Sequence, residues 1–217
     1  MAHDIDTIIK ILRKVTREWD EPVVSEIAAR DQNPYKILIS TIISLRTKDE
    51  VTRNASERLY RLAETPQEMM KLTQKQIEQA IYPAGFYHNK AKNILEISQT
   101  ILAKFHGEVP DDLSDLLSLR GVGRKTANLV ITVGYRKKGI CVDTHVHRIS
   151  NRLGYVSTKT PEQTEFALRK KLPEKYWIEF NDLLVSFGQH ICKPISPFCS
   201  QCPIHDHCRR VGVKISR

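Results

Sequence analysis

The stretch Leu119-Arg120-Gly121-Val122-Gly123-Arg124-Lys125-Thr126-Ala127-Asn128 decides how the rest of the chain is read. Two glycines flank one apolar residue, with helical patterning on both sides. Before it, Asp111 to Leu119 carries Leu113, Leu116 and Leu117 on one helical face. After it, a helix beginning near Arg124 is expected to bury Ala127, Val130, Ile131 and Val133. The turn between them is tight. It needs backbone angles that glycine adopts at no steric cost, and it lets the main chain come close to a ligand. Val122 is placed to plug the turn into the core. The N–H groups opening the second helix point outward and favour an anion. The plainer alternative is an ordinary turn between helices with glycine as the C-cap.

Outward from this hairpin the pattern stays helical. Ile5, Ile8, Ile9, Leu12 and Val15 recur at helical spacing. Asn33-Pro34 offers an N-cap followed by proline at the first helical position. The run from Ile37 to Leu45 is rich in β-branched residues, but its length and cap favour a buried helix over a strand. Thr47-x-x-Glu50, Thr65-Pro66-x-Glu68, Thr73-x-x-Gln76 and Thr160-Pro161-x-Gln163 each read as a capping box. Pro83-Ala84-Gly85 breaks the chain before a helix over about Asn89 to Lys104, and Gly107 and Pro110 break it again. No stretch sustains strict alternation, and no hairpin dipeptide joins two strand-like runs. The fold class is all-α.

Charge points to a partner. The 217 residues carry 34 Lys+Arg against 25 Asp+Glu, a net charge of +9. Such a balance favours a polyanion, nucleic acid before membrane. Leu116 to Val142 holds no acidic residue but carries Arg120, Arg124, Lys125, Arg136, Lys137 and Lys138 around the hairpin. The polar start, Met1 to Asp6, and the short apolar runs predict neither a signal peptide nor a membrane span. Cys192, Cys199, Cys202 and Cys208 follow C-x6-C-x2-C-x5-C. Four thiolates in one short stretch can close around zinc or an iron–sulfur cluster, and spacing alone does not choose. Cys141, between Ile140 and Val142, is expected to be a small buried hydrophobe. This usage suits a reducing, cytoplasmic setting, nucleoid-associated if the source is prokaryotic.

Together these pieces resemble the endonuclease III family of helix-hairpin-helix DNA glycosylases. The resemblance runs in order through Asn33-Pro34-Tyr35, Ile43 to Asp49, Gly85-Phe86-Tyr87-x-x-Lys90-Ala91, Gly107-x-Val109-Pro110, the hairpin with Lys125, Val142-Asp143-Thr144-His145 with Arg148, and the four cysteines. It implies two all-α lobes with DNA held across the cleft. One is a six-helix lobe over about 27–137. The other, 1–26 with 138–217, joins the N- and C-terminal helices and carries a [4Fe–4S] cluster on Cys192, Cys199, Cys202 and Cys208. It also implies a partner, double-stranded DNA with damaged bases or abasic sites; a monomer is the default expectation. Gly121, Val122, Gly123, Arg120 and Arg124 would clamp the phosphate backbone. Arg46 and Phe86 would stand on opposite sides of an extruded nucleotide. The chain departs from the family at three places: Arg120 stands where proline is usual, Arg46 where many relatives have glutamine, and Phe86 where some have leucine.

The implied chemistry rests on Lys125 and Asp143, 18 residues apart. A base inside a duplex must be extruded at a cost of a few kcal/mol. Breaking its glycosidic bond develops positive charge on the sugar, which a carboxylate such as Asp143 stabilises. Lys125 would attack C1′ and form a Schiff base, after which β-elimination cuts the strand 3′ to the lesion. Burial, Arg124 and the helix start would lower the lysine's pKa, while Asp143 opposes that shift. Oxidised pyrimidines are the expected lesions. The alternatives are a monofunctional adenine or mismatch glycosylase, which typically lacks the lysine, and a non-catalytic hairpin protein. His145 and His147 receive no catalytic role.

Overall fold

A computed structural model describes residues 4–19 and 22–217. The first three residues of the polar start therefore lie outside the described residues. Helix α1, Ile5–Thr16, begins at Asp4, whose Oδ1 accepts from the Thr7 amide at 3.2 Å. It buries Ile5, Ile8, Ile9 and Leu12, while Val15 is half-buried.

Eight helices follow: α2 (Val23–Arg30), α3 (Pro34–Ser44), α4 (Asp49–Tyr60), α5 (Pro66–Met69), α6 (Gln74–Ile81), α7 (Tyr87–Phe105), α8 (Leu113–Ser118) and α9 (Arg124–Leu129). α3 starts where expected: Asn33 Oδ1 accepts from the amides of Tyr35 at 2.9 Å and Lys36 at 3.3 Å. Tyr35 and every residue from Ile37 to Ile43 are buried, so α3 is the central rod of this unit. Its β-branched residues are tolerated because packing on all sides outweighs a propensity cost of at most about 0.7 kcal/mol per residue. The capping boxes at Thr65 and Thr73 are both formed. Two other details differ from expectation. Leu117 is exposed, leaving Leu116 as the residue of α8 that is fully buried, and Val133 is only half-buried. α9 runs directly into a π-helical segment, Val130–Gly134, where the Thr132 hydroxyl donates to Asn128 O at 2.8 Å.

The last three helices are α10 (Thr144–Leu153), α11 (Pro161–Lys171) and α12 (Phe180–His190), followed by single 3₁₀ turns at Cys199–Gln201 and His205–His207. No strand occurs among the described residues. Two compact units result. One is Val23–Gly139; the other joins the chain up to Pro22 with Ile140–Arg217. The unit changes at 22/23 and 139/140, against sequence-based boundaries of 26/27 and 137/138, because Val23, Val24 and Ala28 of α2 are buried and α2 packs on α3. In the other unit α1 packs on α12, and Ile8, Ile9 and Leu12 share a core with Ile149, Phe180, Leu184, Phe187 and Ile204. Cys141 is buried, and its carbonyl accepts from Asn181 Nδ2 at 3.1 Å.

Candidate nucleic-acid interface and cysteine centre

The hairpin's geometry separates the two glycines. Gly121 has φ +76, and a Cβ there would stand 2.6 Å from Asn93 Nδ2 and 3.2 Å from Asn93 Cγ. Any side chain is doubly opposed, by backbone conformation and by the α7 side chain against which the turn rests. Gly123 has φ −93, an angle any residue adopts, and a Cβ on it would meet nothing within 4 Å. Its lack of a side chain leaves open space outside the start of α9, where it is the N-cap. Val122 is buried, and its amide donates to Leu119 O at 3.1 Å, closing the turn. The plug expected of Val122 is therefore seen. Arg120 is exposed and pairs with Glu96 of α7 at 2.9 Å, and Lys137 pairs with Asp111. Part of the basic run is thus matched by acids from other segments, a pairing that the acid-free stretch alone concealed.

Lys125 is the second residue of α9 and half-buried. Asp143 is the N-cap of α10: its Oδ1 accepts from the amides of His145 and Val146, both at 2.8 Å. One oxygen takes both cap bonds, so the cap does not require the second. On the same helix His145 Nδ1 lies 3.1 Å from Arg148 Nη2, and His147 Nδ1 lies 2.7 Å from Thr164 Oγ1. Burial holds the His147 pKa below its ordinary value.

Arg46 and Phe86 come together within one unit. Both are non-glycine residues in the left-handed region, at φ 53 and φ 58, each costing about 1–2 kcal/mol relative to ordinary backbone. The Arg46 guanidinium lies over the Phe86 ring, 5.5 Å from its centroid, and Phe86 is 60% exposed. Beneath them Lys90 is 5% exposed. Its Nζ donates to Ile43 O at 2.7 Å, Leu45 O at 2.6 Å and Thr47 Oγ1 at 2.8 Å. Burial pulls its pKa down to about 8, while three oxygen acceptors favour the charged form. Thr47 Oγ1 also accepts from the Gly85 amide at 3.1 Å. This corrects the capping box read at Thr47. α4 starts one residue later than that box requires, with Lys48 as its N-cap, and the threonine hydroxyl is engaged in tertiary contacts instead. A Cβ on Gly85 would stand 2.6 Å from Arg46 O, so close approach explains that glycine.

The four cysteines of the terminal spacing line one pocket, with Ile149, Leu153, Phe187, Phe198 and Ile204 among its apolar walls. Burial pushes the Cys202 thiol up to about 11 and raises that of Cys208. Donors stand around the sulfurs: Arg152 Nη1 lies 3.4 Å from Cys192 Sγ, and the Arg210 amide donates to Cys208 Sγ at 3.4 Å. Arg148 and Arg152, one turn apart on α10, grip the loop. Arg148 donates to Cys192 O at 2.8 Å; Arg152 donates to Lys193 O at 2.7 Å and Pro194 O at 2.6 Å. Arg152 was not among the expected site residues, although its i, i+4 relation to Arg148 is visible in the sequence. Among the described residues no three His, Cys, Asp or Glu side chains converge as ligands of one ion.

An all-α fold with a glycine hairpin opening a helix at Arg124 and Lys125 fits a class of nucleic-acid-binding proteins. Residues 39–174 match the family model of the HhH-GPD superfamily base excision DNA repair protein. The chain belongs to that superfamily, and its function is base excision repair as a DNA glycosylase. It is 50% identical over 179 residues to Endonuclease III of Thermotoga maritima, a match covering 82% of this chain and 84% of that one. Endonuclease III of Bacillus subtilis is 36% identical over 178 residues, covering 82% and 81%. A solved trapped endonuclease III–DNA covalent intermediate, an estranged-adenine complex, is 36% identical with a TM-score of 0.78, covering 82% of this chain and 84% of that one. A thermostable thymine-DNA glycosylase, 22% identical, shares the fold with a TM-score of 0.81 over 94% and 95% of the two chains. The resemblance read from the motifs and the all-α class both hold.

Proposed function

We propose that this glycosylase is bifunctional: it removes oxidised pyrimidines from duplex DNA and cleaves the strand 3′ to the resulting abasic site. The observation that carries this reading is a lysine, Lys125, at the second residue of the helix that the Gly121 hairpin opens. The covalent DNA intermediate captured in the 36% identical relative supports covalent chemistry here as well. The hairpin holds backbone phosphates, with Gly123 leaving room for their approach and Arg120 and Arg124 adding charge. Arg46 and Phe86 enter the duplex and stand in for the extruded nucleotide.

The neutral Lys125 Nζ forms a bond to the sugar C1′. The C1′–N bond to the base breaks, and the base leaves with that electron pair and takes up a proton. Asp143 is assigned the stabilisation of the positive charge that develops on the sugar, and the proton that Nζ sheds passes to solvent. Opening of the sugar ring then gives a Schiff base between C1′ and Nζ. Loss of a C2′ proton expels the 3′ phosphate, and water releases the lysine.

The four cysteines hold a [4Fe–4S] cluster in this reading. Apolar walls and N–H donors at the sulfurs suit the thiolates of a cluster, and the likeness to endonuclease III, not the spacing, selects iron–sulfur over zinc. When bound, the cluster ties the C-terminal turns together and supplies no step of the sugar chemistry. Free thiols and a DNA substrate suit a reducing, DNA-containing cytoplasm.

Borohydride trapping on abasic-site DNA tests the lysine. The native protein is expected to form a covalent adduct and Lys125→Gln none, with base excision falling by about 10² or more. An adduct formed by Lys125→Gln at the native rate would assign the nucleophile to another amine.

A further inference from the structure

Lys90 lies outside the chemistry proposed above, yet it is the buried ion beneath the two strained, exposed residues. Its ammonium holds three oxygens around Arg46: the carbonyl of Leu45 just before it, the hydroxyl of Thr47 just after it, and the carbonyl of Ile43 at the end of α3. From the other side, the Lys90 amide donates to Phe86 O at 3.0 Å, so Lys90 closes the first turn of the helix that Phe86 begins. One residue therefore ties both left-handed positions. The Gly85 amide on Thr47 Oγ1 and the close approach of Gly85 to Arg46 O complete the brace.

A helix end needs its last carbonyls satisfied, and a buried charge is retained only where acceptors compensate for lost water. A water molecule or a serine hydroxyl would satisfy a carbonyl more cheaply than an ammonium does. What lysine adds is reach. It spans from α7 to the far side of the Arg46 loop and presents three donors to three separate oxygens, which sets the distance between the two chain segments.

We propose that Lys90 is a positioning residue for duplex opening, bracing Arg46 and Phe86 at the spacing at which they replace the extruded nucleotide. This rests on the assignment of those two side chains to duplex entry. Lys90 touches neither DNA nor the reacting atoms and acts through the pair. Preorganisation of this kind matters because the exposed pair must hold its shape while it displaces stacked bases.

The test is a double-mutant cycle on the full-length protein with three readouts: excision from a lesion-containing duplex, cleavage at a pre-formed abasic site, and the fluorescence of 2-aminopurine placed opposite the lesion, which brightens on unstacking. Lys90→Met keeps chain length and removes the donors. It is expected to lower duplex excision by about ten- to a hundredfold and abolish the fluorescence rise, with less than about a threefold effect on abasic-site cleavage. In an Arg46→Ala/Phe86→Ala background it should change duplex excision by less than about twofold, because its partners are already gone. Equal loss on both DNA substrates, or a full multiplicative loss in that background, would overturn the proposal and leave Lys90 a stability residue. If Lys90→Met does not fold, Thr47→Val removes one arm of the brace at nearly constant volume and decides by the same criteria with a smaller effect. The reading of Arg46 and Phe86 is judged separately. If Arg46→Ala and Phe86→Ala alone leave duplex excision at the native level, duplex entry is misassigned; if they impair it and Lys90→Met behaves additively, only the positioning role fails.

Discussion

Asp143 carries an observed structural duty and, in the proposed reaction, a chemical one. Its Oδ1 accepts both amides at the start of α10, a cap whose loss to alanine costs about 1 kcal/mol. Its charge is what the proposed reaction needs. Asparagine is as good an N-cap as aspartate, so Asp143→Asn separates the two duties. The thermal midpoint of Asp143→Asn is expected to stay near the native value, while single-turnover base excision falls by about 10²-fold. Cleavage of a pre-formed abasic site should suffer less, since no glycosidic bond remains to be broken. A variant that melts far below the native protein and loses both activities together would mean that the cap is the whole role. Thr47 shows the reverse competition. Its sequence context offers a capping box, yet its hydroxyl serves Lys90 and the Gly85 amide. A buried ammonium without its acceptor costs more than an exposed helix start without its cap.

At the scale of elements, the hairpin between α8 and α9 is a turn braced from outside. Asn93 of α7 packs against Gly121, and the buried Val122 pins the turn to the core. Gly121→Val places a β-branched residue at φ +76, where even unbranched side chains are strained. The turn must shift, and with it the phosphate contacts proposed for it. Affinity for damaged and undamaged duplexes is expected to fall together by about tenfold, because phosphate contacts carry no sequence information. Fluorescence anisotropy on paired duplexes, with circular dichroism to confirm folding, checks this. A loss confined to damaged DNA would instead place the hairpin in base recognition. The passage of α9 into the π-helical turn Val130–Gly134 is local too, and π-segments of this kind cluster at functional sites.

For the whole molecule, the two units depend on different glue. Val23–Gly139 is built on the buried rod α3 and packed helices. The other unit gathers α1 and the C-terminal helices, but beyond His190 it has only single 3₁₀ turns, with Ile204 as their fully buried anchor. Arg148 and Arg152 hold the backbone there, and the four cysteines line one pocket, where the proposed cluster would tie the turns together. Cys202→Ser is therefore expected to remove iron and to lower the thermal midpoint of this unit by several degrees, roughly 4–8 °C for each kcal/mol lost. Anaerobically purified native protein should be brown, with about four irons per chain and little zinc. Stoichiometric zinc in that preparation would overturn the cluster assignment.

The sequence by itself determined many of the helices, several of their caps and the hairpin, because capping, helical periodicity and glycine punctuation act within a few residues, whereas α2, α10 and α12 were not read from it. The hairpin motif and the C-x6-C-x2-C-x5-C spacing were legible for the same reason, and so was the basic charge. Tertiary structure alone decided which partners those residues take. It turned Thr47 from a cap into an acceptor, set Arg120 against Glu96 and brought Arg152 to the cysteine loop. It also buried Lys90 under Arg46 and Phe86, 47 residues from the Ile43 carbonyl that it holds. Each of these choices weighs the desolvation of a charge or hydroxyl against acceptors that are distant along the chain. That balance is set by which segments pack together, and no local pattern encodes it.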